Sequence, residues 1–452
     1  MIIMKMMKID KIGFSIIAVL FLSISIQAQD KVWTLQECVN YALENNISVK
    51  QINNSLLSGE QDVKASKGSF LPTLNASASQ SLGLGNQELF QGQFADRTTH
   101  STNIGIRATQ NVFNGFRTSY LYKQSLLNQE ANQLQLQKLK DDISLNVANA
   151  YLNVLFNKEN LETAKAQVDF SQAQLNQVQD LVEAGVQPQA NVYDAEATLA
   201  SDEQSLTIAE NNYNIALLTL SQILQIPREG FQVEMIDVGS PTATLMYNNV
   251  EPILDYAFDN RSEIKLAEKN IEVAEMNTKI SKSGFLPNVN LSYAFGSNAF
   301  YSNLIDTEDT FFNQLNDQKA HSFSLSIGIP IFSQFQNKTS VTKAKISVEN
   351  SKLDLAQSKL DLENTIQTAF TDAKAALKSY EASKKALQSQ ELAFENAQER
   401  YNLGAMNAFD LEQSRIRYVN AQSNLINAKY DFIFKTKVLD FYIGKPIVIN
   451  NN

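Results

Sequence analysis

Residues that could carry catalytic or metal chemistry are scarce in this chain. The 452 residues include one cysteine, Cys38, and two histidines, His100 and His321. The histidines occupy similar places in the two halves of the chain, as ligands of a metal ring would, but they are two residues out of register. We therefore expect them on a solvated rim. The chain has no phosphate-binding glycine loop, H-E-x-x-H helix or nucleophile elbow, so the sequence predicts no enzyme and no cofactor.

The composition indicates long helices rather than a small module or a nucleic-acid-binding protein. Only 16 glycines and 8 prolines occur in 452 residues, whereas average usage of the two is roughly 12%. A single cysteine excludes a disulfide framework. The formal net charge of −10 opposes binding to nucleic acid, which normally requires a basic face.

The first 28 residues have the pattern of a secretory signal peptide (1–28). Three lysines precede an apolar run at 12–26, and Ala28 closes a small-residue cleavage site. The alternative is a membrane anchor, but this run is shorter than the ~20 residues that a helical span needs. The sequence predicts an exported protein whose mature chain begins at Gln29.

The chain is predicted to be an internal duplication. Residues 41–45 (YALEN) match residues 256–260 (YAFDN) at an offset of 215. Later matches occur at an offset of 219, because the second half carries four extra residues between its strands. Matching order in two halves means one architecture built twice. The resulting segments are a first repeat (29–226), a linker (227–250), a second repeat (251–446) and a tail (447–452).

Each repeat is predicted to contain one very long helix. Residues 117–184 and 337–403 contain neither Gly nor Pro. At 1.5 Å per residue each helix would be ~100 Å long. A capping-box pattern begins another helical run at Thr34, which extends to about Lys67. The predicted order in each repeat is helix, strand, strand, long helix, helix, with the two shorter helices stacked end to end beside the long one.

Apolar residues along the long helices follow coiled-coil spacing. In the first repeat they alternate in steps of four and three from Ile143 to Val182. In the second repeat the residues that recur every seven positions are Val348, Leu355, Leu362, Ala369 and Ala376. These are coiled-coil seams. Taken alone, they suit a soluble coiled-coil rod equally well.

Four segments of about ten residues alternate as outer-membrane strands do. They are predicted at about 73–84, 103–113, 289–298 and 323–332, and apolar residues alternate there with small polar ones. One phenylalanine lies at the same end of each strand, where an aromatic girdle belongs; these are Phe70, Phe113, Phe285 and Phe332. A soluble sandwich face, the alternative, explains neither these positions nor the long helices. Four strands cannot close a membrane barrel, and an open edge in lipid leaves backbone groups unpaired, so several copies must share one barrel.

Over its mature length the chain resembles the TolC-like outer-membrane efflux protein family. The resemblance is carried by residues 33–37 (WTLQE), 41–46 (YALENN), the two Phe-Leu-Pro helix ends, 111–115 (NVFNG) and 400–404 (RYNLG). It implies a mostly helical protein with a β-barrel part, a homotrimer whose 12-stranded outer-membrane barrel continues into a long periplasmic helical barrel. It also implies a passive exit duct in outer-membrane lipid, docked through a periplasmic adaptor onto an inner-membrane pump.

The two tight turns between helices are the candidate docking tips. They are formed by Gly185, Val186, Gln187 and Pro188 in the first repeat and by Gly404, Ala405 and Met406 in the second. Each glycine suits the left-handed conformation that closes such a turn, and each turn lies ~100 Å from the strands by helix rise. We expect six tips per trimer to contact the adaptor. The alternative is a purely structural turn.

The resemblance also implies a constriction just beyond the tips. In the family, acidic residues six and nine positions after the second tip glycine narrow the duct, and a Tyr three before and an Arg two after that glycine supply latching contacts. Here Asp410 and Tyr401 match, Gln413 replaces the second acid and Met406 replaces the Arg; the first-repeat counterparts are Asn191 and Asp194. Asp410 either forms an acidic ring in the trimer or only stabilises the following helix, by ~0.3–1 kcal/mol.

The residues leave two other functional classes open. A secreted coiled-coil interaction or structural protein would also carry the helical seams, and a stand-alone nutrient porin would also carry the strands. A porin needs no helical tunnel, and a soluble coiled coil needs no membrane strands. No discriminating pocket is visible that would identify a cargo.

Overall fold

The computed structural model describes residues 32–235, 247, 249–305 and 308–445. The predicted signal peptide (1–28), the tail (447–452) and the middle of the linker (227–250) lie outside these residues. The first half contains β1 (Val32–Trp33), α1 (Leu35–Asn45), α2 (Ile47–Gly68), β2 (Thr73–Phe90), β3 (Gln93–Asn114), α3 (Arg117–Glu183), α4 (Ala190–Leu224) and, at the start of the linker, β4 (Gln232–Val233). The second half contains α5 (Glu251–Asn260), α6 (Ser262–Lys282), β5 (Asn288–Ser302), α7 (Phe311–Asp317), β6 (Ala320–Gly328), α8 (Gln336–Asn402) and α9 (Ala408–Tyr442).

The helical run predicted from residue 34 to residue 67 is in fact two helices. Thr34 begins α1 through a capping box with Glu37, in which each side chain accepts a hydrogen bond from the other residue's backbone N–H. At Asn46 the backbone becomes extended, with ψ 131°, and the Asn46 side chain accepts a hydrogen bond from Ser48 to begin α2. The second half breaks at the equivalent residue, Arg261, which also has an extended ψ of 137°.

The two long helices carry the rest of the helical structure. α3 and α8 each span 67 residues, which corresponds to ~100 Å. α3 packs along α2, α4 and α6, and α8 packs along α6 and α9. Residues of the predicted seams are buried in these contacts, among them Val147, Val154, Leu161, Leu362, Ala369 and Ala376. The heptad spacing therefore marks the faces through which the helices form a wall.

A small parallel sheet covers one face of α3 near its middle. β1 pairs with β4, and the fully buried Tyr151 reaches both strands: its hydroxyl donates to the backbone oxygen of Glu234 at 2.8 Å and lies 3.3 Å from that of Trp33. Burial raises the pKa of Tyr151, so the hydroxyl remains a donor. This layer fixes the start of the chain and the linker against the wall.

The strands β2, β3, β5 and β6 form one antiparallel sheet in that order. β2 and β3 extend beyond the predicted segments 73–84 and 103–113, because a two-residue turn with Gly92 at φ 83° keeps them paired to their ends. β5 likewise continues to Ser302. β6 stops at Gly328 rather than at the predicted residue 332, since Pro330 has no N–H with which to continue the ladder.

Each outer strand of this sheet has one edge without a strand neighbour in the described chain. These strands are β2 and β6. β6 pairs with β5 only as far as Gly296, and α7 covers the β5 edge beyond that residue. The buried Gln314 accepts a hydrogen bond from the Phe300 backbone at 2.8 Å, and Ser297 donates to the Leu315 carbonyl at 2.5 Å.

The chain turns sharply from sheet to helix at equivalent points of the two halves. Phe116 and Phe335, the residues before α3 and α8, have φ of 65° and 63°. A residue other than glycine in this left-handed region costs ~1–3 kcal/mol. The ring of Phe116 packs edge-on against Phe113 at 5.2 Å, and that of Phe335 packs against Phe332 at 5.9 Å. These contacts, together with the left-handed Gly115, hold the corner.

Candidate tip and constriction sites

The two helix–helix tips have the same backbone structure. Gly185 and Gly404 both have φ 71°. The Gly185 N–H donates to the Val182 carbonyl at 2.9 Å, and the Val186 N–H donates to the Leu181 carbonyl at 2.8 Å. Gly404 and the residue after it make the same two bonds at 2.9 and 2.8 Å. These bonds define a Schellman turn, for which a left-handed glycine is the favoured residue.

The surface at the tips is uncharged and carries several exposed apolar side chains. Residues 184–193 and 401–409 contain no charged side chain. Val186 is 68% exposed, Leu403 83% and Phe409 71%. Pro188 and Ala405 are exposed, whereas Gln187 and Met406 are half-buried. Since exposed apolar residues at the end of a ~100 Å helical hairpin have nothing in the described chain to cover them, they are the surface most suited to a partner.

Asp410 lies in the first turn of α9. Its backbone N–H donates to the Asn407 side chain at 2.8 Å, and the Asn407 amide donates to the Asp410 carboxylate at 3.0 Å. The carboxylate thus closes a reciprocal cap and stabilises the positive end of the helix dipole. The Asp410 side chain remains exposed, so its carboxylate is also accessible to other groups in an assembly.

The structure divides the predicted constriction residues between two grooves. Asp410, Gln413 and Met406 line one groove between α8 and α9, together with Arg400 and Arg417. Asn191 and Asp194 line another, where the start of α4 faces the start of α9 at Ala408 and Phe409. The acidic position of the second repeat is therefore beside arginines, and the first-repeat counterparts lie elsewhere.

Tyr401, the remaining constriction candidate, lies in the last turn of α8. Its hydroxyl oxygen is enclosed and has no hydrogen-bond partner among the described residues. A buried polar atom normally has a partner. Met406 replaces the arginine that the family resemblance implies, and a methionine side chain cannot donate a hydrogen bond to the Tyr401 hydroxyl oxygen.

The strongest polar contact near the tips was not predicted from the sequence. Arg415 of α9 binds Asp202 of α4 through two hydrogen bonds, at 2.9 and 3.3 Å, and binds Glu412 at 2.8 Å. The side chains of Arg415 and Asp202 are only 8% and 9% exposed. Burial lowers the pKa of the Arg415 guanidinium, but the two carboxylates outweigh it and the pKa is raised. This cluster joins the hairpin of the first half to that of the second.

The position of this ion cluster does carry a signal in the sequence. Arg415 follows the buried Leu411 by four residues, so the arginine occupies the same, apolar face of α9. A charge at a seam position is unusual and indicates a specific partner. The sequence does not identify that partner, because Asp202 lies 213 residues away. Other ion pairs between α9 and the long helices, such as Lys429 with Glu159, are more exposed.

The four predicted girdle residues lie where the strands meet the helices. Phe70 contacts Tyr122 of α3 at 6.1 Å between ring centroids, and Phe113 and Phe332 form the corner contacts described above. Phe70, Phe285 and Phe332 are 45%, 51% and 73% exposed. They lie at the same end of the sheet, and their role as an aromatic girdle in contact with lipid stays a prediction.

The two histidines do not come together. His100 is paired with Tyr301 of β5, whereas His321 is paired with Phe295, six residues away on the same strand. His321 lies 2.9 Å from the Tyr293 hydroxyl. Within the described ranges, no group of three or more His, Cys, Asp or Glu side chains is arranged to hold a metal ion. None of the helices described is both long and apolar enough to cross a membrane.

A four-stranded antiparallel sheet joined to helices of ~100 Å is the architecture expected of a channel protein with a long helical extension. The sequence model for the family described as outer membrane efflux protein matches residues 38–224 and 253–445, and the chain belongs to this family.

Individual relatives agree with this assignment. The outer membrane protein TolC of Vibrio cholerae is 24% identical over 420 residues, which cover 91% of each chain. The pyoverdine export outer membrane protein OpmQ of Pseudomonas putida is 23% identical over 361 residues, which cover 76% of this chain and 71% of OpmQ. The crystal structure of VceC from Vibrio cholerae has a TM-score of 0.75 at 18% identity and covers 92% of this chain and 97% of VceC.

The protein is therefore an outer-membrane exit duct of efflux systems, in a family of channels rather than of enzymes. The predicted resemblance to TolC-like proteins is confirmed, as is the outer-membrane location. The alternative of a secreted coiled-coil protein is wrong, because the family resides in the outer membrane. The alternative of a stand-alone porin is also wrong, because the family consists of efflux proteins.

Proposed function

We propose that three copies of this chain form one duct, with a 12-stranded barrel in the outer membrane and a helical tunnel in the periplasm. The observation that carries this proposal is the four-stranded sheet, whose outer strands β2 and β6 each leave one edge open. Lipid does not tolerate such edges, because each unpaired backbone group costs several kcal/mol there. Three sheets joined edge to edge supply 12 strands, within the range of known membrane barrels.

A second surface of the chain supports assembly. Ile346, Leu353 and Leu360 recur every seven residues along α8 and are 56%, 61% and 60% exposed. Each precedes a residue of the buried seam by two positions, so the stripe lies on the opposite side of the helix. A second apolar stripe at heptad spacing fits a helix from a neighbouring copy.

Native mass spectrometry of the detergent-extracted protein tests the assembly. The expected species is a trimer, and a stable monomer or dimer would overturn the proposal. Leu353→Lys combined with Leu360→Lys should weaken the trimer, since both charges would lie in the helix–helix contact. Asp354→Lys, which changes charge on a different face of α8, is the matched control and should leave the trimer intact.

The tips are the proposed contact with a periplasmic adaptor, a membrane fusion protein, and through it with an inner-membrane pump. Support comes from the exposed apolar Val186 and from the identical backbone of the two turns. Val186→Asp with Ala405→Asp should abolish efflux while trimers remain in the membrane, because each tip would then bury a charge at its contact. Val186→Thr with Ala405→Ser is the conservative control. Unchanged efflux in the aspartate variant would remove the docking role.

The constriction is proposed at Asp410, where three carboxylates would converge on the axis of the trimer. A ring of acidic side chains attracts cations and repels anions. The exposed carboxylate supports this proposal, and its cap with Asn407 supports the alternative helix-end role. In planar bilayers, Asp410→Asn should weaken cation selectivity and block by divalent cations. Conductance and selectivity identical to wild type would leave only the helix-end role.

A further inference from the structure

The pairing of the strands separates the sheet into two chemically different faces. Ile106 of β3 lies opposite Ala76 and Phe295, which defines an apolar face. Arg107 lies opposite Asn75 and Ala294 and therefore points to the other face. Ten residues away on the same strand, Arg97 lies opposite Gly85 and shares that second, polar face.

Arginine is the only charged residue type on the polar face of the described strands. Apart from Arg97 and Arg107, the residues of this face at 73–87, 93–111, 288–302 and 320–328 are Ser, Thr, Asn, Gln, Gly, Ala or Phe. None of them is acidic. The nearby acidic residues Glu88 and Asp96 occupy even-numbered positions of β2 and β3, whereas the polar face takes the odd-numbered positions. They therefore belong to the other face.

Among the described residues, neither arginine side chain has an ion-pair partner. In that part of the chain, Arg107 is exposed and its side chain makes no hydrogen bond. The Nε atom of Arg97 is enclosed and has no hydrogen-bond partner there. Small side chains such as Asn75 and Ala294 surround Arg107 on its face, so the guanidinium donors remain available to a ligand.

In the proposed trimer these arginines would form two rings. Arg107 lies where all four strands are paired, whereas Arg97 lies on the β2–β3 hairpin, beyond the last β5 pair at Thr99 and Ser302. At the level of Arg107, 12 strands 4.8 Å apart and tilted by ~40° give a backbone diameter of ~24 Å. An Arg107 guanidinium that reaches ~6 Å inward from the wall then lies ~10 Å from its two symmetry copies, about one Debye length, so the three potentials add. Ten residues of tilted strand place the Arg97 ring ~25 Å beyond the Arg107 ring.

We infer that the barrel lumen is a binding path for anionic solutes, with Arg107 at the entrance from the tunnel and Arg97 toward the exterior, and that the duct favours cargo bearing carboxylate, phosphate or sulfate groups. The inference rests on the proposed trimeric duct. Arginine binds such oxyanions through paired N–H donors, and rings of basic residues select for anions. Because the rest of this face is uncharged, these two rings determine the sign of its field.

Single-channel recording in planar bilayers tests the site, with inositol hexakisphosphate as the multivalent anion probe. Added on the barrel side, the probe should block the wild-type current. Arg97→Gln with Arg107→Gln should weaken this block by about tenfold or more, because six positive charges leave the lumen. The same variant should shift the reversal potential in a KCl gradient toward cations.

Two variants distinguish the effect of the positive charge on the block from an effect of altered structure. Arg107→Lys with Arg97→Lys keeps the charge and should retain most of the block. Lys319→Gln removes a positive charge just before β6, outside its paired residues, and should leave the block unchanged. If the glutamine variant conducts and is blocked as strongly as wild type, the arginines are merely solvated lumen residues and the inference is overturned. If wild type itself forms no channel, the proposed duct fails instead.

Discussion

The buried ion cluster between α4 and α9 permits a quantitative prediction. Arg415→Met removes the cation that holds Asp202 at 2.9 and 3.3 Å and leaves a carboxylate that is only 9% exposed. Removing one partner of a buried pair costs ~3–5 kcal/mol.

Replacing both partners should be far less harmful than replacing one. Asp202→Leu with Arg415→Met leaves no uncompensated charge in the contact, and exchanging a buried pair for apolar residues is often close to neutral. Glu412 is 25% exposed and can be hydrated. The two substitutions should therefore be strongly non-additive, with a coupling of ~2–3 kcal/mol.

Hydrogen exchange of the purified protein in detergent measures this effect without global unfolding. Amides near residues 202 and 415 should exchange about 100-fold faster in Arg415→Met at pH 7, which corresponds to ~3 kcal/mol of local stability. Lys429→Met breaks the more exposed pair with Glu159 and should change local stability by no more than ~1 kcal/mol. Wild-type exchange in Arg415→Met, or an equal defect in the double variant, would refute the reasoning.

Four further substitutions test the backbone features of the fold by thermal denaturation. Gly404→Ala should destabilise the fold by ~1–2 kcal/mol, because the backbone φ of 71° is left-handed, although no atom obstructs an added Cβ. Gly68→Ala is the control, since an added Cβ is also unobstructed there and φ is not left-handed. It should be neutral or stabilising. Gly115→Ala should be more harmful than either, since its Cβ would also lie 2.8 Å from that of Leu286. Thr34→Ala should remove ~1 kcal/mol with the capping box. Equal losses at Gly404 and Gly115 would contradict the steric argument.

The helical part of the fold could be predicted because its determinants are local. Two segments without Gly or Pro predict the extent of α3 and α8 to within a residue or two. The structure buries many of the heptad residues, among them Val147, Val154 and Leu362, and half-buries others such as Val348 and Leu355. The break at Asn46 was missed, because an asparagine inside an apolar pattern looks like a surface residue until its side chain is seen to cap the next helix. The strand ends were missed because pairing beyond the apolar segment depends on the turn at Gly92.

The candidate site was harder to predict, because its contacts are long-range. The tip glycines could be located, since a left-handed turn demands a residue type that the sequence displays. The cluster of Asp202 with Arg415 could not, because the two residues are 213 positions apart and belong to different halves. Family spacing predicts a constriction at Asp410, but the arginines beside it in the groove follow from how α8 and α9 pack.

The ion cluster also breaks the symmetry between the halves. At the offset of 219, the position equivalent to Arg415 is Glu196, and the position equivalent to Asp202 is Ala421. The pseudo-symmetric copy of this ion pair therefore cannot form. Since Glu196 is exposed and Ala421 is buried, each chain makes the contact once, from its own α4 to its own α9. Each half of the chain supplies one helical hairpin, and the ion pair joins the two hairpins to each other within a chain.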